Sequence, residues 1–159
     1  MTNNPILCAI DTSDIDKAVE LVDQIFPHIG GIKLGLEFFT SCGLFGLEKI
    51  KQFEIPIFID LKLYDIPNTV KQALSNILQF EPEYTTLHLS GGSEMLIECV
   101  NVKKNLHSRT KLIGVTMLTS FNDRLISEIG IEKSVNENVK KLTQLAVNCG
   151  MDGIVCSPL

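Results

Sequence analysis

Asp60-Leu61-Lys62-Leu63-Tyr64-Asp65 places two carboxylates and an ammonium within six residues, directly after the apolar run Ile55–Ile59. A run rich in Ile and Phe reads as a buried strand. Strand side chains alternate faces, so Asp60 and Lys62 are expected to point the same way. Charges at the end of a buried strand must be paired, and structure alone seldom requires them there. The chemistry on offer is proton transfer with electrostatic stabilisation. A lysine held charged by neighbouring acids can protonate a developing carbanion and stabilise its negative charge. An ionised Asp60 beside a substrate carboxylate would repel it, and the repulsion would end as neutral carbon dioxide leaves. Stabilisation by Lys62 is the firmer half of that pair of effects. The competing reading is an ion-pair network that only braces the strand ends.

Such a cluster needs elements to hold it. Six apolar runs recur along the chain: Ile6–Asp11, Gly31–Gly35, Pro56–Lys62, Thr85–Ser90, Leu112–Leu118 and Gly153–Ser157. Being continuous rather than alternating, most read as fully buried strands. Helix-period stripes lie between them. Ile15, Ala18, Val19, Val22, Ile25 and Phe26 make one, with Ser13 as its expected cap and Asp16 in the capping-box position. Val70, Ala73, Leu74, Ile77 and Leu78 make a second. Val135, Val139, Leu142, Ala146 and Cys149 make a third, stopped by Gly150. Gly43–Gly46 and Gly91-Gly92-Ser93 read as turns into shorter helices, the latter as a turn and cap rather than a phosphate cradle.

Strands alternating with helices give an α/β fold with a parallel sheet. Asp11, Lys33, Asp60 with Lys62, His88 and Thr119 with Ser120 fall at successive strand ends. Polar groups at nearly every strand end favour the (β/α)8 TIM barrel over an open sheet with one switch point. Neighbouring strand ends lie about 5 Å apart, so Lys33 is expected to bridge the acids of the first and third strands. A barrel takes about 200 to 250 residues. Residues 1–159 therefore read as a single partial βα-barrel domain of about six βα units, a fragment without the last two.

The bulk composition excludes several classes. Net charge is −5 with no basic block, which argues against nucleic acid and anionic membranes as partners. No apolar run reaches the roughly 18 residues of a membrane span, and the first residues lack a signal peptide's basic start. Five cysteines without a CxxC pair read as buried reduced thiols of a cytoplasmic protein. His28 and His107 read as surface residues, and His88 as either a site residue or a structural one. No His/Cys/acid spacing suggests a metal.

Ala9-Ile10-Asp11, Ile32-Lys33-Leu34-Gly35 and above all Asp60-Leu61-Lys62-Leu63-Tyr64-Asp65-Ile66-Pro67-Asn68-Thr69-Val70 resemble the orotidine 5′-phosphate decarboxylases. Leu87-His88-Leu89-Ser90-Gly91-Gly92 and Val115–Ser120 support the likeness by order and spacing. The resemblance implies a TIM barrel, a homodimer with shared active sites, and decarboxylation of orotidine 5′-phosphate to UMP without a cofactor. It implies Lys62 as proton donor to carbon 6 of the pyrimidine and Asp60 as the acid beside the departing carboxylate. It implies Asp11 and Lys33 as ribose-hydroxyl contacts, with Lys33 also holding the charge network. Asp65 and Thr69 match residues that each subunit lends to its neighbour, and Thr119 matches a contact to the base or its carboxylate. Tyr64 stands where bacterial members usually carry histidine. The family's phosphate-binding loops, which follow its seventh and eighth strands, have no counterpart in these residues.

Two other readings stay open. One is a metal-dependent sugar-phosphate lyase of the same superfamily, which shares Asp-x-Lys-x-x-Asp but carries an acid where Lys33 stands. The other is a catalytically impaired remnant.

Overall fold

A computed structural model describes residues 4–157 of the chain. Among them are six strands: β1 (Leu7–Ala9), β2 (Gly31–Leu34), β3 (Ile57–Leu63), β4 (Tyr84–His88), β5 (Lys111–Val115) and β6 (Gly153–Val155). They follow one another in the sheet in chain order, and β1–β2, β2–β3 and β5–β6 pair in parallel. The helices between them are α1 (Ile15–Ile25), α2 (Leu36–Lys51), α3 (Pro67–Leu78), α4 (Gly92–Asn105), α5 (Asp123–Glu128) and α6 (Val135–Cys149). All six apolar runs are therefore strands, each ending earlier or later than expected by a few residues. Helix α5, six residues long, is too short to show a periodic stripe in the sequence.

Two compact units divide the described residues, one of residues 4–61 with 82–85, the other of residues 62–81 with 86–157. In the first, α1 buries Ala18 and Val22, and α2 buries Phe38, Leu47 and Ile50. The cap of α1 is Asp14, not Ser13: its carboxylate accepts the amides of Asp16 and Lys17 at 3.0 and 3.2 Å. The helix starts at Ile15, so the capping oxygen must come from the residue just before it. Gly43, at φ 56°, is non-helical and kinks α2 into two helical segments where the turn is expected.

The second unit has a continuous core in which Val70 and Leu74 of α3, Leu87 of β4, Leu96 and Cys99 of α4 and Leu112 of β5 take part. Its helix α4 is longer than anticipated at 14 residues. Ser134 and Glu137 form a reciprocal capping box on α6, and Gly150, at φ 77°, ends it in the left-handed cap that its position suggested.

Burial departs from expectation at the first and last strands. Leu7, Ala9 and Val155 are exposed, because β1 and β6 each have a neighbour on one side only within the described residues. Of the five thiols, Cys99 and Cys149 are buried, Cys8 and Cys42 half-buried and Cys156 exposed. Burial, and then the charge of Glu98, push the Cys99 thiol up to about 12.

Asp152, in the turn before β6, ties three elements of this unit. Its Oδ2 accepts Lys103 Nζ at 2.6 Å and the Leu112 amide at 2.7 Å, while its own amide donates to the Leu112 carbonyl at 3.1 Å. Asp152→Ala should cost about 2 kcal/mol, the scale of hydrogen bonds to a charged group. Urea denaturation measures this, and a loss below about 0.5 kcal/mol would mean solvent replaces the carboxylate.

Candidate active site

The first unit assembles a lysine and two acids around the end of β2. The register sets Lys33 against Ala9 on one side and Phe58 on the other. The Ile10 amide donates to the Lys33 carbonyl at 2.9 Å, which carries the β1–β2 pairing to the residue before Asp11. Lys33 Nζ lies 3.5 Å from Asp60 Oδ2, with side chains 29% and 12% exposed. A pair this far from water is screened less than a surface pair would be. A Cβ placed on Gly35 would stand 3.7 Å from both Asp11 Oδ1 and Lys33 Nζ, in ordinary van der Waals contact, so both polar ends lie beside the Gly35 backbone. Asp11 itself is exposed, and among the described residues no ion pair joins it to Lys33. The expected lysine bridge is thus made on the Asp60 side.

In the second unit Lys62 stands near the end of β3 and adopts φ 52°, the left-handed region. A side chain there pays a steric penalty that only glycine escapes. Its amide donates to Thr86 Oγ1 on β4 at 2.8 Å, and Thr86 is fully buried. This contact joins residues 24 apart in the chain.

His88, at the end of β4, caps the turn that follows: its Nδ1 accepts the Ser90 amide at 3.4 Å. Burial first, and the charge of Lys62 second, lower its pKa. The neutral ring so favoured carries its proton on Nε2. Tyr64 stacks on it, with centroids 5.3 Å apart and an interplanar angle of 28°. The hydrogen bond to Ser90 gives His88 the structural role, and the charge of Lys62 acts on its ring. Neither the Tyr64 stack nor the Thr86 contact is legible from spacing; the one signal is the pair of adjacent threonines, Thr85 and Thr86, in β4.

The remaining expected residues are solvent-facing. Asp65 is exposed in the turn after β3, where Oδ1 accepts the Ile66 amide at 2.6 Å. Thr69 is exposed on the first turn of α3, and Thr119 is exposed in the turn after β5. Among the described residues no group of His, Cys, Asp and Glu could hold a metal ion, and no helix is long and apolar enough to cross a membrane.

A profile of the orotidine 5′-phosphate decarboxylase / HUMPS family matches residues 4–159. The chain belongs to this family. An orotidine 5′-phosphate decarboxylase of Ehrlichia chaffeensis is 46% identical over 157 residues, which cover 99% of this chain and 67% of that one. One of Wolbachia sp. subsp. Brugia malayi is 45% identical, over 98% of this chain and 68% of its own. The crystal structure of orotidine 5′-phosphate decarboxylase from Lactobacillus acidophilus superposes with a TM-score of 0.88 at 32% identity, covering 98% of this chain and 72% of that one. The fold is that of the (β/α)8 barrel family, with six of its strands among the described residues. The chain spans about two thirds of the length of the relatives it matches.

Within a decarboxylase-family chain, the lowered pKa of His88 has a consequence for acid stability. The folded state binds its proton less readily than the unfolded chain, whose histidine titrates near 6.5. Folding stability is therefore intact above pH 6.5 and falls as pH drops below it, through the lowered folded pKa. Melting temperatures between pH 7.5 and 5.5 should fall more in the wild type than in His88→Gln. Equal slopes would mean that the ring is protonated as easily in the fold as outside it.

Proposed function

We propose that this chain works in the decarboxylation of orotidine 5′-phosphate to UMP, the last step of de novo pyrimidine nucleotide synthesis, without a cofactor. The observation that carries the reading is the family match along residues 4–159, with Asp60-x-Lys62-x-x-Asp65 in it at the end of β3. The bond from carbon 6 to the carboxylate breaks, carbon dioxide leaves, and the electron pair stays on carbon 6. The Lys62 ammonium stabilises that pair and then supplies its proton, after which solvent reprotonates the amine. Asp60 stands beside the departing carboxylate. Lys33, paired to Asp60 at 3.5 Å, holds that carboxylate in place and with Asp11 contacts the ribose hydroxyls. Thr119 contacts the base or its carboxylate.

Asp65 and Thr69 serve the neighbouring subunit of a homodimer. The exposure of Asp65 supports this, as does that of its apolar neighbours Tyr64 and Ile66, 62% and 66% exposed. The six strands and their helices act as one partial barrel domain in the cytoplasm. Lys33 favours the decarboxylase over the metal-dependent lyases of the superfamily, which carry an acid at this position.

The test is to incubate the purified chain with orotidine 5′-phosphate, with and without a chelator, and to measure UMP formed and UMP bound. Chelator-resistant UMP formation is expected. Activity that needs magnesium would favour the lyase reading. No turnover, together with no UMP binding at millimolar ligand, would leave the non-catalytic reading.

A further inference from the structure

Four residues other than glycine have left-handed φ: Glu54, Lys62, Glu81 and His107. Glu54, Glu81 and His107 lie in connections that follow a helix, where such a conformation ends the helix. Lys62 alone of the four lies within a strand. Lysine has no short polar side chain to satisfy its own backbone there, as asparagine or aspartate would. A strained backbone in a strand persists only when its surroundings over-determine it. Among the groups around it is the Thr86 hydroxyl, which accepts the Lys62 amide at 2.8 Å. Thr86 is fully buried, so water cannot easily take over as acceptor.

We propose that Thr86 is a positioning residue for Lys62: its buried hydroxyl clamps the Lys62 amide and fixes the left-handed peptide from which the lysine side chain departs. The inference rests on Lys62 as proton donor. Rotation at φ swings the whole side chain, so a released peptide displaces the ammonium from the reacting carbon. Displacements near 1 Å at a reacting group can cost about 100-fold in rate. Thr86 needs no contact with substrate to act in this way.

Thr86→Val keeps the shape and removes the acceptor; Thr86→Ser keeps the acceptor. Thr86→Ala replaces the valine variant should that one fail to fold. Two readings are taken on the full chain, amide hydrogen exchange at Lys62 by NMR and decarboxylation kinetics. In Thr86→Val the Lys62 amide should exchange at least about tenfold faster. The kcat should fall about 10- to 100-fold with UMP affinity within about twofold, and Thr86→Ser should restore both. Unchanged exchange in Thr86→Val would overturn the clamp. Faster exchange with full kcat would overturn its role in positioning, and a serine variant as impaired as valine would overturn the role of the hydroxyl. A wild-type chain that protects the Lys62 amide yet forms no UMP would refute the decarboxylase reading, and this role with it, while leaving the clamp as a structural contact.

Discussion

Lys62→Ala should lower the rate of UMP formation by about 100- to 10,000-fold, the range that a positioned proton donor contributes. UMP affinity should change far less, because the ammonium acts on charge that develops only as carbon dioxide leaves. Single-turnover assays with excess protein separate the two effects. Retained turnover would remove Lys62 from the donor's role. The same position makes an unusual stability prediction. Glycine in a strand ordinarily destabilises. At φ 52° the order reverses, since alanine keeps a Cβ in the left-handed region and glycine has none. Lys62→Gly should therefore be more stable than Lys62→Ala by about 1 kcal/mol. At this size that is about 2–4 °C in melting temperature. Both variants lose the lysine side chain's contacts equally, so the difference isolates the backbone. A glycine variant that melts below the alanine variant would place Lys62 outside the left-handed region.

Asp65→Ala should be nearly inactive alone, as should Lys62→Ala, yet the two mixed should recover activity. The reason lies in whose site each residue serves. If Asp65 reaches across to the neighbour, a mixed dimer pairs an intact Lys62 from one subunit with an intact Asp65 from the other. Random exchange of equal amounts then gives about a quarter of wild-type activity per subunit. The exposed position of Asp65, between exposed Tyr64 and Ile66, makes such a reach sterically open. Subunits must be unfolded and refolded together, or left long enough to exchange, before assay. No recovery after demonstrated exchange would put Asp65 and Lys62 in the same subunit's site, or Asp65 in none.

Much of the architecture was legible because it is encoded locally. β3 and β5 follow short runs rich in Ile, Leu, Val or Phe, and α1, α3 and α6 carry their own apolar stripes, with Gly150 as the stop signal of α6. The decarboxylase block is likewise contiguous, so its residue types and spacing survive without any knowledge of packing. Exposure of β1 and β6 was not legible, since burial of a strand depends on neighbours that lie elsewhere in the chain.

The sequence by itself determined which charged groups arrive at the strand ends and in what order: Asp11, Lys33, Asp60, Lys62, Asp65. Tertiary structure decided which of them meet. It paired Lys33 with Asp60 and not with Asp11, capped α1 with Asp14 instead of Ser13, laid Tyr64 on His88, and turned the Lys62 peptide into the left-handed region. The physical reason is range. Periodicity reports which face a residue prefers, but the acceptor of the Lys62 amide is a hydroxyl on another strand, and only the packing of β4 beside β3 delivers it at 2.8 Å.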